Sequence, residues 1–150
     1  MSDIKEMIVY HAAPIMLGEG GIILPGNWGR MLKRYTDVSA VLLRESILES
    51  VRALRFPEKP SRMTSLFAIE SLDAAIAYRD SNCPHNLIYE LIVDDSDLTI
   101  HRGDYSFSMP PGQYLLDGLH QMAEMYWSEQ PAEFVELVIP GPGKVMRVVG

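Results

Sequence analysis

The stretch from Ser61 to Tyr78 constrains this chain most. Ser61 to Ile69 has the extended, partly apolar character of a strand, and Ser71 follows as an N-cap. A helix then carries Leu72, Ala75, Ile76 and Tyr78. A strand running directly into a short helix fixes where the chain must turn. It also sets a polar and aromatic row, Arg62, Ser65 and Phe67, beside Tyr78.

The flanking sequence supplies short elements in irregular order. Met7 to Ala12 is a β-branched, aromatic run and a first strand, and Ile22 to Leu24 is a short second strand stopped by Pro25-Gly26. Gly26 to Gly29 reads as a loop around Trp28. Asp37 caps a long helix to about Arg55, with Val41, Leu43, Ile47, Leu48, Val51 and Leu54 as its buried stripe. Arg44, Glu45, Glu49 and Arg52 fall mostly on the other side, and Pro57 and Pro60 end the helix. Leu87 to Val93 is a strong strand, Leu98 to His101 a brief one, and Arg102 to Gln113 a loop. Tyr114 to Trp127 predicts a helix with Leu115, Leu116, Leu119, Met122, Ala123 and Tyr126 inward. Strands Glu133 to Ile139 and Val145 to Val149 surround Pro140 to Gly143, which reads as a hairpin turn. Strands that do not alternate strictly with helices predict an α+β fold with mainly antiparallel sheet. Two small packed sheets with helices outside them, in one domain over residues 1–150, is the expected architecture.

Composition narrows the function classes. The formal charge of −7 argues against general affinity for nucleic-acid phosphates, though one basic pocket remains compatible with it. Cys83 is the sole cysteine, which excludes an intrachain disulfide or a cysteine-based zinc site and suits a reducing cytoplasm. His120 and Glu124 lie one helical turn apart without a second histidine in metal spacing, so no metal is expected. The charged N-terminus lacks a signal-peptide pattern, and no apolar run approaches a bilayer span. Gly18 to Gly21 precedes a strand, unlike a dinucleotide fingerprint, and Gly141 to Lys144 lacks phosphate-loop spacing. Arg102-Gly103-Asp104 matches a cell-adhesion tripeptide that has no partner inside a cell.

Three segments in chain order resemble the ADP-ribosyltransferase superfamily, in the branch that uses His, an aromatic residue and Glu. Tyr10-His11 ends the first strand, Phe67 and Tyr78 supply aromatic rings, and Ala132-Glu133-Phe134-Val135-Glu136-Leu137 is similar to the catalytic strand. The resemblance implies an ADP-ribosyltransferase-like fold in a small bacterial or phage member. It implies NAD as substrate, and transfer of ADP-ribose to a protein, small-molecule or nucleic-acid acceptor. Glu133 falls at the glutamate position, with Glu136 its rival.

The chemistry explains those residue types. Breaking the nicotinamide–ribose bond develops positive charge on the sugar, which a fixed carboxylate stabilises. Tyr78 or Phe67 offers a face to the cationic ring, and His11 hydrogen-bonds the ribose. Arg62 presents a forked donor to the pyrophosphate, and Ser65 bonds the ribose. Each has a plainer reading: a half-buried histidine, core rings, a solvated glutamate, a serine that merely lines a strand, and a surface pairing of Arg62 with Glu58 or Glu70. A catalytically silent member kept as a binding module is the alternative, followed by NAD hydrolysis or RNA 2′-phosphate transfer on the same scaffold.

Overall fold

The computed structural model describes residues 5–106 and 114–150. Its strands are β1 (Glu6–Ala13), β2 (Ile22–Ile23), β3 (Leu66–Ala68), β4 (Leu87–Asp94), β5 (His101–Asp104), β6 (Val135–Ile139) and β7 (Gly143–Val148). Its α-helices are α1 (Asn27–Leu32), α2 (Ala40–Arg55), α3 (Leu72–Asn82) and α4 (Leu115–Trp127). The strands form two antiparallel sheets, one in the order β1-β4-β7-β2 and one in the order β3-β6-β5. The fold is α+β, and among the described residues no helix is long and apolar enough to cross a membrane.

Side-chain alternation along the central strands divides the core. On β4, Tyr89, Leu91 and Val93 join Leu66, Ala68, Leu137, Ile139 and Val145 in one buried cluster shared by the two sheets. Ile88, on the opposite face of β4, packs with Ala75 of α3 instead. On β6, Val138 points away from Leu137 and Ile139 and meets Leu48 and Val51 of α2 and Met122, Tyr126 and Trp127 of α4. The indole of Trp127 donates to the Leu48 carbonyl at 2.8 Å, so the largest buried side chain also satisfies its one polar atom.

Backbone hydrogen bonds stitch the two sheets together at the end of β1. Tyr10 and Ile69 exchange backbone hydrogen bonds of 2.8 Å, tying the end of β1 to the residue after β3. The Tyr89 hydroxyl of β4 accepts from the Leu17 amide and donates to the Ile15 carbonyl, both at 2.9 Å. That pair of bonds holds the segment after β1 against the inter-sheet core.

Several sequence expectations shift. Ser61 to Ile69 is not one strand: Arg62–Thr64 makes a 3₁₀ turn, with the Ser61 hydroxyl accepting from the Met63 amide, and only Leu66–Ala68 pairs in a sheet. Gly26 to Gly29 is not all loop, because α1 begins at Asn27. A Cβ on Gly29 would collide with the Met63 backbone, so glycine lets α1 seat directly on the 3₁₀ turn. Ser39, not Asp37, caps α2 through the Leu42 amide. Leu54, Leu115 and Leu116 are exposed instead of inward. Glu45 is fully buried rather than on a solvated face. Pro140 to Gly143 is no hairpin: it carries the chain from β6 in one sheet to β7 in the other. The brief strand expected over Leu98 to His101 forms over His101–Asp104, which includes the adhesion-like tripeptide. Residues 107–113 of the expected loop lie outside the described residues.

Candidate functional site

The end of β1, β2, α1, the 3₁₀ turn at Arg62, β3 and α3 line an open cavity of about 770 Å³. That volume suits a ligand the size of a cofactor. Of the residues singled out in the sequence, His11, Arg62, Ser65, Phe67 and Tyr78 all line it. They come from β1, the 3₁₀ turn and the residue after it, β3 and α3, and the Tyr10–Ile69 bridge joins β1 to the residue after β3.

Glu133 does not line the cavity. It stands exposed in the bend before β6, because the strand begins at Val135. The carboxylate that does line the cavity is Glu136. Strand alternation puts Glu136 on the face of Val138, toward α4, opposite to the Leu137 and Ile139 face. The sequence favoured Glu133 with Glu136 its rival, and strand register brings Glu136, not Glu133, to the cavity.

His11 is fixed in one tautomer. Its Nδ1 lies 2.7 Å from the Phe67 carbonyl, an acceptor only, so Nδ1 carries the proton in that contact. In the neutral ring Nε2 is then the acceptor. Burial lowers the His11 pKa below the ordinary imidazole value, opposed in part by the Phe67 bond. The cavity therefore contains a neutral, oriented imidazole.

Arg62 is committed to the protein. Its Nε and Nη2 each donate at 2.9 Å to one oxygen of Glu45. Its Nη1 donates to the Tyr126 hydroxyl at 2.7 Å and also to Glu136. The Tyr126 hydroxyl in turn donates to Glu136 at 2.8 Å. Burial opposes the Arg62 charge, but Glu136, Tyr126 and Glu45 together raise its pKa well above the ordinary value. Burial, and then the negative charge of Glu136, push the Tyr126 hydroxyl well up as well. The guanidinium also lies over the Phe67 ring, 4.7 Å from its centre. Arg62 thus positions Glu136 and covers one face of Phe67, instead of standing open for a pyrophosphate.

Gly103 makes this arrangement possible. It is the β5 partner of Glu136, and a Cβ there would run into the Tyr126 ring. The bare backbone lets Tyr126 lie across β5 and reach Glu136 with its hydroxyl. Ser65 is likewise spoken for, donating to the Ser61 carbonyl at 2.6 Å. Tyr78 meets Tyr105 edge to face at 5.1 Å, and both rings line the cavity with Tyr10. Burial raises the Tyr78 hydroxyl pKa, and Glu136 adds to that rise.

Sequence reasoning missed Tyr10, Trp28, Arg30, Arg44 and Tyr105 as lining residues. Tyr10 had a usable signal, since it adjoins His11 at the end of a strand. Among the described residues no group of three or more His, Cys, Asp or Glu side chains is placed to hold a metal.

No curated protein matches the sequence. Residues 22–150, which include every lining residue named above except Tyr10 and His11, match the family model described as "Protein of unknown function (DUF2441)", and the chain belongs to that family.

Proposed function

We propose that the cavity binds NAD and that the protein is an ADP-ribosyltransferase-like enzyme with Glu136 as its catalytic carboxylate. The observation that carries this reading is the convergence of His11, Tyr78 and Glu136, from β1, α3 and β6, on one cavity of about 770 Å³. An imidazole, a flat ring and a carboxylate are the groups that glycosyl transfer from a cationic nicotinamide asks for. In this reading the bond between the ribose C1′ and the nicotinamide nitrogen breaks, and its electron pair leaves with the now neutral ring. Glu136 stabilises the charge left on the sugar, and His11 Nε2 accepts from a ribose hydroxyl. A nucleophile on the acceptor then bonds to C1′ and gives up its proton to solvent water.

A specific observation favours the alternative, a binding module without turnover. Glu136 is already engaged by Arg62 and Tyr126, so its oxygens are partly occupied before any ligand arrives. Calorimetric titration with NAD and an assay of nicotinamide release separate the readings. Heat on titration, with release that Glu136→Gln abolishes while Glu133→Gln leaves it intact, supports the enzyme. Heat without release in the wild type leaves the binding module. Absence of any heat at millimolar NAD removes both NAD readings.

A further inference from the structure

The expected phosphate contact, Arg62, is consumed by Glu45 and Glu136, yet the cavity keeps a positive wall. Its charged lining residues are Arg30, Arg44, Arg62 and Glu136. Adding the buried Glu45 behind Arg62 still leaves an excess of arginine over glutamate. That excess stands out in a chain of formal charge −7.

The sequence around this wall points the same way. From Gly20 to Thr36 there is no Asp or Glu, while Arg30, Lys33 and Arg34 lie within it. Among the described residues Arg30 makes one hydrogen bond, from Nη1 to the Pro25 carbonyl at 3.2 Å, out of five N–H donors in a guanidinium. That bond steadies the side chain against the loop that enters α1. Arg44 reaches the same cavity from α2, with its Nη2 3.6 Å from Glu45 and about a third of its side chain exposed. The Trp28 indole N–H, shut off from solvent, has no hydrogen-bond partner among the described residues and belongs to the same wall.

We infer that Arg30 and Arg44 form an anion subsite for the pyrophosphate of a dinucleotide, at the α1 and α2 side of the cavity. The inference rests on the NAD reading for the identity of the ligand, but its chemistry needs only a phosphate anhydride. Two guanidinium groups reaching one cavity from separate helices suit a ligand with two linked phosphates. The ribose and nicotinamide end then falls to His11, Tyr78 and Glu136.

The test is calorimetric titration of the wild type, Arg30→Gln and Arg44→Gln with NAD, ADP-ribose, inorganic pyrophosphate and phosphate-free nicotinamide riboside. Circular dichroism and thermal melting confirm that each variant folds, and exposed Arg30 is the safer position. The expected result is a loss of about ten-fold or more in affinity for NAD, ADP-ribose and pyrophosphate in each variant, with riboside binding unchanged. Wild-type binding of ADP-ribose should also weaken with added salt, and less so in the variants. NAD binding that both variants retain in full overturns the subsite and leaves the NAD reading standing. Pyrophosphate binding lost in the variants, with no wild-type response to NAD, supports the subsite and removes the NAD reading. No wild-type response to any phosphate ligand overturns the subsite.

Discussion

Arg62 ties Glu45 of α2 to Glu136 of β6: two of its nitrogens sit 2.9 Å from the two Glu45 oxygens, and a third meets Glu136. Glu45 is wholly buried and Arg62 nearly so, which leaves each charge dependent on the other. Removing the cation strands carboxylates away from water, and such breaks cost about 3–5 kcal/mol. Arg62→Met should therefore lower the free energy of urea unfolding by that order. Arg62→Lys should fall between, because it keeps the charge but loses the planar fork. The double change Arg62→Met with Glu45→Met should recover part of the loss, since the most buried carboxylate goes with its partner. Additive losses in the double variant would mean the pair is not coupled as drawn.

His101 should make the fold acid-sensitive. It is fully buried between Tyr126 and Trp127, with ring centres 4.9 and 4.7 Å away. Burial, reinforced by Lys59, lowers its pKa from 6.5 to about 4, against the pull of Glu129 at 3.6 Å. The unfolded chain then binds the proton first, so stability is full above 6.5 and is lost as pH falls toward 4. The loss from His101 alone comes to about 2 kcal/mol by about pH 5. His11, whose pKa is also lowered, adds to it with the same sign. Glu49, Glu70 and Glu129, whose pKa values lie below 4.5, contribute their losses at more acid pH. His101→Phe should keep or raise stability at neutral pH and flatten the decline between pH 7 and pH 5. Parallel curves for the variant and the wild type would contradict this.

Gly103→Ala should disturb the site without touching the cavity lining. The added methyl meets the Tyr126 ring, which must move and draw its hydroxyl away from Glu136. Overpacking of this kind costs about 1–3 kcal/mol. Tyr126→Phe at the same time removes the hydroxyl while keeping the ring, so it reports the hydrogen bonds alone. Thermal melting should rank Gly103→Ala as the more damaging at the packing level. A Gly103→Ala protein as stable as wild type would show that the ring has room to shift.

Local signals were legible and long-range pairings were not. Ser71 capping α3 is an example of the first: its hydroxyl accepts from the Ala74 amide at 3.2 Å, a bond made within four residues. Likewise β4 declares itself by an apolar, β-branched run. Glu45 shows the opposite case. On α2 it looks like any surface glutamate, and the two hydrogen bonds from Arg62, seventeen positions on, explain its burial. The Pro140 to Gly143 turn has hairpin residues, but whether the next strand returns to the same sheet depends on β4, far away in sequence. The site divides the same way. His11, Phe67 and Tyr78 could be named from their segments, whereas seeing that Glu136 and not Glu133 lines the cavity required knowing where the strand starts.

The start of α2 gives a clean local test of the same point. Asp37 and Ser39 are both residues that cap helices, but the Ser39 side chain is the one that accepts from the Leu42 amide, at 3.1 Å, with Ser39 itself in the extended conformation. A cap contributes about 1 kcal/mol, and a capping-type residue two positions too early contributes none of that bond. Ser39→Ala should lower stability by about that amount, and Asp37→Ala should stay within about 0.5 kcal/mol of wild type. Ser39→Asp should restore most of the loss, because a carboxylate oxygen can take the same amide. Chemical denaturation of the three variants decides it: a larger loss at Asp37 than at Ser39 would move the first turn of α2 back toward the earlier residue.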